Sequence, residues 1–411
     1  MLTPEQVTDY TNRCTALFDE LNDNILRDMI RRIEKTARIT DTAKWQLERA
    51  RALGESTQTV LREMRRLDDI MGTKAAVVFF QAMMASDEQD AQIFAQAGQP
   101  YTRLGESRAA QQLAMSGWRR TRNTLWNLTQ TRALMGNRNL PESQQLQLGR
   151  ELDAAHMKVS SGAFSYTEAI RSSIKNLSQQ GVAAITYPSG HVDSLDVVAR
   201  RAILTGINQT SGDIALHNGM TAGLKYMELT AHIGARVGNG HKNKTNHAWW
   251  QGHLVCINGD PEPEAGPDCL TLDDIGYGDV QGFMGANCRH NWHPFFLGIS
   301  QRLYDQEALD RMAAATVPYH GAEIPRWKAD EMQRAYERKI RACKREFILA
   351  RDVGDTDAQR AAAAKLKRTR AALRDFLRET GLLPQSEREQ VLGFGRSEAA
   401  SASAMARRQT T

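Results

Sequence analysis

The sequence predicts an α+β chain that is mainly helical, with a small mixed unit set between two helical regions. Three observations predict it. Apolar residues recur every three to four positions through most of the first 180 residues, the spacing of a helix face. After Gly181 that pattern gives way to short β-rich runs and loops dense in Gly, Asn, His and Trp. From Arg326 onward helical periodicity returns, now strongly basic. The 411 residues, 41% of them hydrophobic, can bury a core but exceed the length at which single cores divide, ~250–300 residues. We therefore read a helical region at 1–180, an α+β unit with long Gly-rich loops at 181–325, a basic helical hairpin or coiled coil at 326–396 and a flexible tail at 397–411.

Each element has its own justification. Thr3-Pro4-Glu5-Gln6 places a hydroxyl at N-cap, Pro at N1 and Gln at N3, which satisfies the orphan N–H groups of a helix start. Val7, Tyr10, Cys14, Leu17, Leu21, Ile25, Met29 and Ile33 then form one stripe, which predicts a long amphipathic helix whose apolar face serves as a docking surface. A second pattern carries Trp45, Leu47, Leu53, Val60, Leu61, Met64 and Leu67, with an interruption expected at Gly54-Glu55-Ser56. The apolar run 75–84 and helices over 106–135, 141–160 and 166–180 follow, bounded by Gly, Asn or Ser. A hairpin is expected over 182–195 around Pro188-Ser189-Gly190, then a helix over 196–218 and a strand over 224–230. Two last helices, 331–351 and 358–380, flank a break at Gly354-Asp355, and the Ala/Ser-rich end has too little apolar material to fold alone.

Composition narrows function. No basic n-region with an apolar run opens the chain and no apolar stretch nears the ~18 residues of a membrane span, so a soluble, unsecreted protein is expected. Five scattered cysteines do not make a disulfide framework. The net charge of +5 is concentrated: residues 326–379 hold 16 Lys/Arg against 9 Asp/Glu. Gly276, Gly278, Gly282 and Gly285 spell no phosphate loop and are turn glycines.

The most informative stretch runs from His232 to Pro294. It contains Ala231-His232-Ile233-Gly234-Ala235-Arg236, then His247-Ala248-Trp249-Trp250-Gln251-Gly252, then Gly285-Ala286-Asn287-Cys288-Arg289-His290-Asn291-Trp292-His293-Pro294. This stretch resembles the phage minor capsid protein 2 family and the wider phage Mu F-like head proteins, in which an Arg, a "His-x-x-x-x-Gly" and an "Asn-Cys-Arg-Cys" recur in that order. Here these are Arg236, His247 to Gly252 and Asn287-Cys288-Arg289, with His290 at the second Cys, and the insert 237–244 is long and polar. The helix signature from Asp196 to Thr210 adds to the likeness, which covers 182–300. The resemblance implies a structural, head-morphogenesis component of a tailed phage, assembled in the host cytoplasm and resident in the virion head. It implies portal and capsid proteins as partners, several copies around the portal, an association with DNA packaging and no established catalysis.

The motif block His232, Arg236, His247, Trp250, Gly252, Asn287, Cys288, Arg289 and His290 then allows three chemistries. His247, Cys288 and His290 are candidate ligands of a structural zinc, with a fourth from His232, His241, Cys256 or His293, although Cys-x-His is tighter than usual ligand spacing. Alternatively Cys288 is a buried small hydrophobe, His247 and His290 bond loop carbonyls, Arg236 pairs with a carboxylate, and Trp249, Trp250 and Trp292 pack. A third option makes Cys288 a nucleophile with His247 or His290 as base, in a virion-delivered cysteine- or metal-dependent effector enzyme. No hydrolase signature accompanies it, and the chain's basic helical end, with no further globular module, favours the structural class. Whichever holds, the two halves of the block are expected to meet in space across some forty residues. Lys365, Lys367, Arg368, Arg370 and Arg374 are candidates for non-specific contact with packaged DNA, against a plain solvated helix face.

Overall fold

Thr3 opens the first helix as a capping box: its hydroxyl accepts the Gln6 N–H at 3.2 Å, and Gln6 Oε1 accepts the Thr3 N–H at 2.9 Å. The computed structural model describes residues 2–129, 147–186 and 192–407. Its order is α1 (Pro4–Thr36), α2 (Thr42–Ile70), a π turn (Met71–Ala75), α3 (Ala76–Gln96), α4 (Arg108–Thr129), α5 (Gln147–Ser160) and α6 (Tyr166–Gln180). There follow β1 (Ala183–Thr186), β2 (Val192–Ser194), α7 (Leu195–Thr221), β3 (Tyr226–Leu229), α8 (His247–Trp250), β4 (Leu254–Cys256), β5 (Leu270–Thr271) and β6 (Trp292–Phe295). The last elements are α9 (Gln306–Ala313), β7 (Thr316–Tyr319), β8 (Ala322–Pro325), α10 (Arg326–Asp352), α11 (Thr356–Thr380) and α12 (Arg396–Arg407). At 64% helix with small sheets, this is the mainly helical α+β fold expected.

Three expectations are corrected. Val7, Cys14, Leu21, Ile25, Met29 and Ile33 are all buried within the chain, so the α1 stripe is core and not an open docking surface. The periodicity revealed the apolar face but not the facing segments that cover it. Second, α2 runs straight through Gly54, because an isolated glycine lowers helix stability by only about 1 kcal/mol. Third, much of the expected tail is helix α12, whose Ala402 and Ala406 are buried. Its Glu398 caps the start by accepting the Gly395 N–H at 2.9 Å, a local signal the Ala/Ser composition obscured. Helix α9 and the β7–β8 hairpin occupy residues to which the sequence reading assigned no element of their own. The Pro188-Ser189-Gly190 turn, residues 130–146 and residues 408–411 lie outside the described residues.

The chain divides into two compact units, each gathered from three stretches. One comprises Met1–Cys14, Met71–Leu125 and Arg200–Asp330; the other Thr15–Ile70, Trp126–Ala199 and Glu331–Thr411. In the first, a four-stranded sheet has the order β5-β4-β3-β6, antiparallel except for the β4–β5 pair. Met227, Leu229, Val255 and Trp292 from this sheet share a buried cluster with Ala215 of α7, Trp250 and Phe283. Helices α4 and α7 interlock through reciprocal Gly–Thr contacts. A Cβ on Gly117 would lie 2.0 Å from Thr210 Oγ1, and one on Gly206 would lie 2.0 Å from Thr121 Oγ1.

In the second unit, Asp23 of α1 is buried with three partners. Arg345 Nε lies 2.8 Å away, and the side-chain amide of Asn22 and the backbone N–H of Leu392 donate at 3.1 and 3.0 Å. Helices α10 and α11 form an antiparallel hairpin, shown by Lys365–Glu346 at 2.6 Å and by the Tyr336–Phe376 rings at 5.6 Å. Gly354, at φ +73, turns the chain, and Asp355 caps α11 by accepting the Ala358 N–H at 2.9 Å.

Candidate functional site

Asn246 caps the one-turn helix α8 by accepting the Trp249 N–H at 3.1 Å, and so fixes the direction of His247 and Trp250. Trp250 is fully buried, its Nε1–H donated to Lys244 O at 3.2 Å. The chain then turns at Gly252, φ +71, where a Cβ would lie 2.6 Å from Leu309, and enters β4. The other half of the block arrives through the Gly-rich excursion 276–287. There a Cβ on Gly282 would lie 2.1 Å from Gly276 O, so the excursion is packed backbone against backbone. Arg236 holds its end: the guanidinium donates to Gln281 O at 3.3 Å and to Ala286 O at 3.0 Å. Arg236 therefore serves two loop carbonyls and not the carboxylate expected of it, because turn carbonyls to which the backbone supplies no donor take one from a side chain.

The two halves meet. One ligand-type atom each from His247, Cys288 and His290 lie within 4.8 Å of one another, and all three residues are buried. Among the described residues this is the one such gathering of three or more His, Cys, Asp or Glu. Cys288 Sγ is 3.6 Å from His290 Nδ1. His247 Nε2 pairs with Gln281 O at 2.9 Å, as a loop-carbonyl bond was expected to do. His290 differs: its Nε2 faces Gln251 Oε1 at 3.1 Å, and the same oxygen accepts the His232 N–H at 3.0 Å. The His232 ring stacks on His290 with centroids 4.4 Å apart, and Arg289 Nη2 lies 3.2 Å from His232 Nδ1. Asn287 is exposed at φ +61 and stands outside the cluster. It is a turn residue in a conformation that Asn tolerates, and backbone geometry, not side-chain contact, accounts for its place.

Burial dominates the electrostatics. It pushes the His247 imidazole down to about 4 and the His290 imidazole well below its usual value, so both rings are neutral near pH 7. It pushes the Cys288 thiol up to about 11. An activated nucleophile needs the reverse shift and access to a substrate, and Cys288 has neither. Neutral imidazoles and a thiol at this separation suit a hydrogen-bonded pair or a metal.

Sequence reasoning missed four residues here. Gln251, quoted in the motif but given no role, joins His232 to His290. Asn208 of α7 donates to His290 O at 2.6 Å, and Asn291 donates to Ser211 Oγ at 2.7 Å and to Asn208 Oδ1 at 3.1 Å. The fully buried Glu228 of β3 takes His293 Nε2 and Arg302 Nε at 3.0 Å each and the Leu303 N–H at 2.9 Å. Glu228 lies between Met227 and Leu229 in β3 and carries no local motif, so nothing nearby shows which partners its carboxylate will meet. Of the other ligand candidates, His293 belongs to this Glu228 group, and Cys256 Sγ faces Asn258 O and Gly259 O at 3.5 and 3.4 Å. His241 is exposed on the polar insert.

The basic candidates on α11 separate. Lys365 pairs with Glu346 at 2.6 Å, and Arg370 approaches Glu389 at 4.0 Å. Lys367, Arg368 and Arg374 are exposed and have no ion pair among the described residues.

Comparison with known proteins places this arrangement. The profile of the family described as Phage minor capsid protein 2 matches residues 2–378. A structural protein of Lactococcus phage LL-H is 25% identical over 245 residues, covering 58% of this chain and 60% of that protein. A structural protein of Lactococcus phage mv4 is 28% identical over 134 residues, covering 32% of this chain and 98% of that protein. The match thus spans under two thirds of the LL-H protein's length. No solved structure matches. With the profile running through the helices, the sheet and the His–Cys cluster alike, the chain belongs to the phage minor capsid protein 2 family.

Proposed function

We propose that the chain is a structural minor capsid protein of a tailed-phage head that docks on the portal or inner capsid and touches packaged DNA through its C-terminal helices. The family match over residues 2–378 carries the reading. The names of the two Lactococcus phage relatives, each a structural protein, support the virion as its location. Among the described residues no helix is long and apolar enough to cross a membrane.

With the α1 stripe buried, docking has to use another surface. Val77 and Met84 stand seven residues apart on one side of α3, 56% and 65% exposed, beside the partly buried Phe80. An exposed apolar face of this kind suits a protein partner. For DNA, Lys367, Arg368 and Arg374 supply charge that no neighbour neutralises, and contact with phosphates would be sequence-independent.

Mass spectrometry of purified heads tests the reading directly. The chain should be present at several copies per head, and its absence from heads containing portal and major capsid protein overturns the proposal. Val77→Asp with Met84→Asp should leave the fold intact and lower the copy number. Undiminished incorporation moves docking off α3.

A further inference from the structure

We propose that His247, Cys288 and His290 hold a structural zinc ion that pins the start of β6 to the α8 turn.

The distances match the chemistry. A tetrahedral zinc with Zn–S of about 2.3 Å and Zn–N of about 2.0–2.1 Å sets a sulfur and a nitrogen ligand about 3.6 Å apart. Cys288 Sγ and His290 Nδ1 are separated by 3.6 Å, and the three ligand atoms together span no more than 4.8 Å. The cluster needs little adjustment to close around an ion.

The surrounding hydrogen bonds aim both imidazoles. The Gln281 carbonyl can only accept, so His247 carries its proton on Nε2 and presents a lone pair at Nδ1. Gln251 Oε1 is fixed as an acceptor by the His232 backbone N–H, so His290 also carries its proton on Nε2 and leaves Nδ1 free toward the sulfur. This is how metal-binding histidines are oriented: the outer N–H is donated to a carbonyl and the inner nitrogen faces the ion. Without a metal, the inner Nδ1 of His290 meets only the Cys288 sulfur, a weak hydrogen-bond partner, among the described residues.

The ligands also sit where a staple has most to do. His247 lies on the approach to β4 and Cys288 on the approach to β6, at either end of a long run with only short strands. Closing such an excursion costs entropy, which metal binding offsets in small loop-rich units. Binding converts the Cys288 thiol to thiolate, with its proton released to solvent, and leaves a fourth position for water. Because all three side chains are buried, the ion is taken up as the chain folds.

The test uses the full chain, purified without chelator and refolded from denaturant with and without zinc. Elemental analysis should find about one zinc per chain, and refolding with zinc should raise the melting temperature. Refolding with cobalt(II) should give the intense visible bands of tetrahedral coordination and a thiolate-to-metal charge-transfer band. Cys288→Ser should abolish the latter, and His247→Ala should bring bound zinc to background. The wild-type cobalt spectrum reads the site even if either variant fails to fold. A cooperatively folded wild-type chain with no stoichiometric zinc and no cobalt spectrum overturns the proposal. So does full zinc retention in Cys288→Ser.

Discussion

In the loop-rich unit, Glu228, His247, Cys288 and His290 are withdrawn from water and meet partners far along the chain. In the C-terminal hairpin, Lys367, Arg368 and Arg374 stand in solvent, and many other charges pair three or four residues away, as Arg360 does with Asp357 and Arg378 with Asp375. The contrast is one of dielectric. A buried ionised group depends on its partners, because water cannot replace them, whereas an exposed ion pair contributes ~0–1 kcal/mol. Buried polar contacts hold the loop-rich unit together, as Arg345–Asp23 does at the buried face of the hairpin, whereas the exposed face of α11 carries charges that pair locally or have no ion pair among the described residues.

The largest expected effect follows from Glu228. Burial raises the cost of its charge, but His293, the Leu303 N–H and Arg302 outweigh that and hold the carboxyl below its usual value. Glu228→Gln keeps the shape yet leaves Arg302 without its counter-charge and weakens the hydrogen bond to His293, and should destabilise the chain by about 3 kcal/mol at pH 7. The sign with pH is definite. A carboxyl whose folded value is depressed contributes stability that is complete above the unfolded value of about 4.3 and is lost as pH falls through the folded value. Denaturant titrations of wild type and variant should converge in acid. A gap that stays constant with pH would show that the Glu228 charge is not what stabilises β3.

Legibility in the sequence followed the same division. Helices such as α6 and α11 were readable because capping, periodicity and the Gly354 break are local signals. The His247–Cys288 meeting was anticipated from the two halves of the family motif. Its supporting residues were not. Gln251, Asn208 and Asn291 act across separations of 19 to 83 residues, and no local pattern distinguishes a buried amide from a surface one. Glu228 was invisible for the same reason. The α1 stripe failed in the opposite direction, since an apolar face announces that it will be covered but not by what.

A smaller effect separates two glycines of the excursion. Gly278, at φ +92, has open space where a Cβ would project, so Gly278→Ala meets backbone strain alone and should cost about 1 kcal/mol. A Cβ on Gly282 would lie 2.1 Å from Gly276 O, and backbone cannot rotate aside as a side chain can. Gly282→Ala should cost about 2–3 kcal/mol, as overpacking does, and should loosen the Gln281 carbonyl that orients His247. Thermal melts of the two variants rank them. Equal losses would mean that the excursion is not packed tightly enough to position the cluster.

The smallest effect on stability should come from the hairpin. Replacing Lys367, Arg368 and Arg374 together by Ala removes three exposed charges with no ion-pair partner among the described residues and leaves the buried face of α11, Leu366, Thr369 and Leu373, untouched. Substitutions of this kind change stability by less than about 0.5 kcal/mol, and Ala favours the helix. Retention on DNA should respond differently. If each of the three neutralises a phosphate, the slope of log affinity against log salt falls by about 0.9 per residue, or close to 3 units for the triple variant. Lys365→Ala gives the internal control, because its ammonium is committed to Glu346 at 2.6 Å and contributes little to phosphate binding. Unchanged melting with a shallower salt dependence would establish the hairpin charges as a surface kept for DNA. An unchanged salt slope would return them to a solvated helix face, and the difference between the two regions would then be one of burial alone.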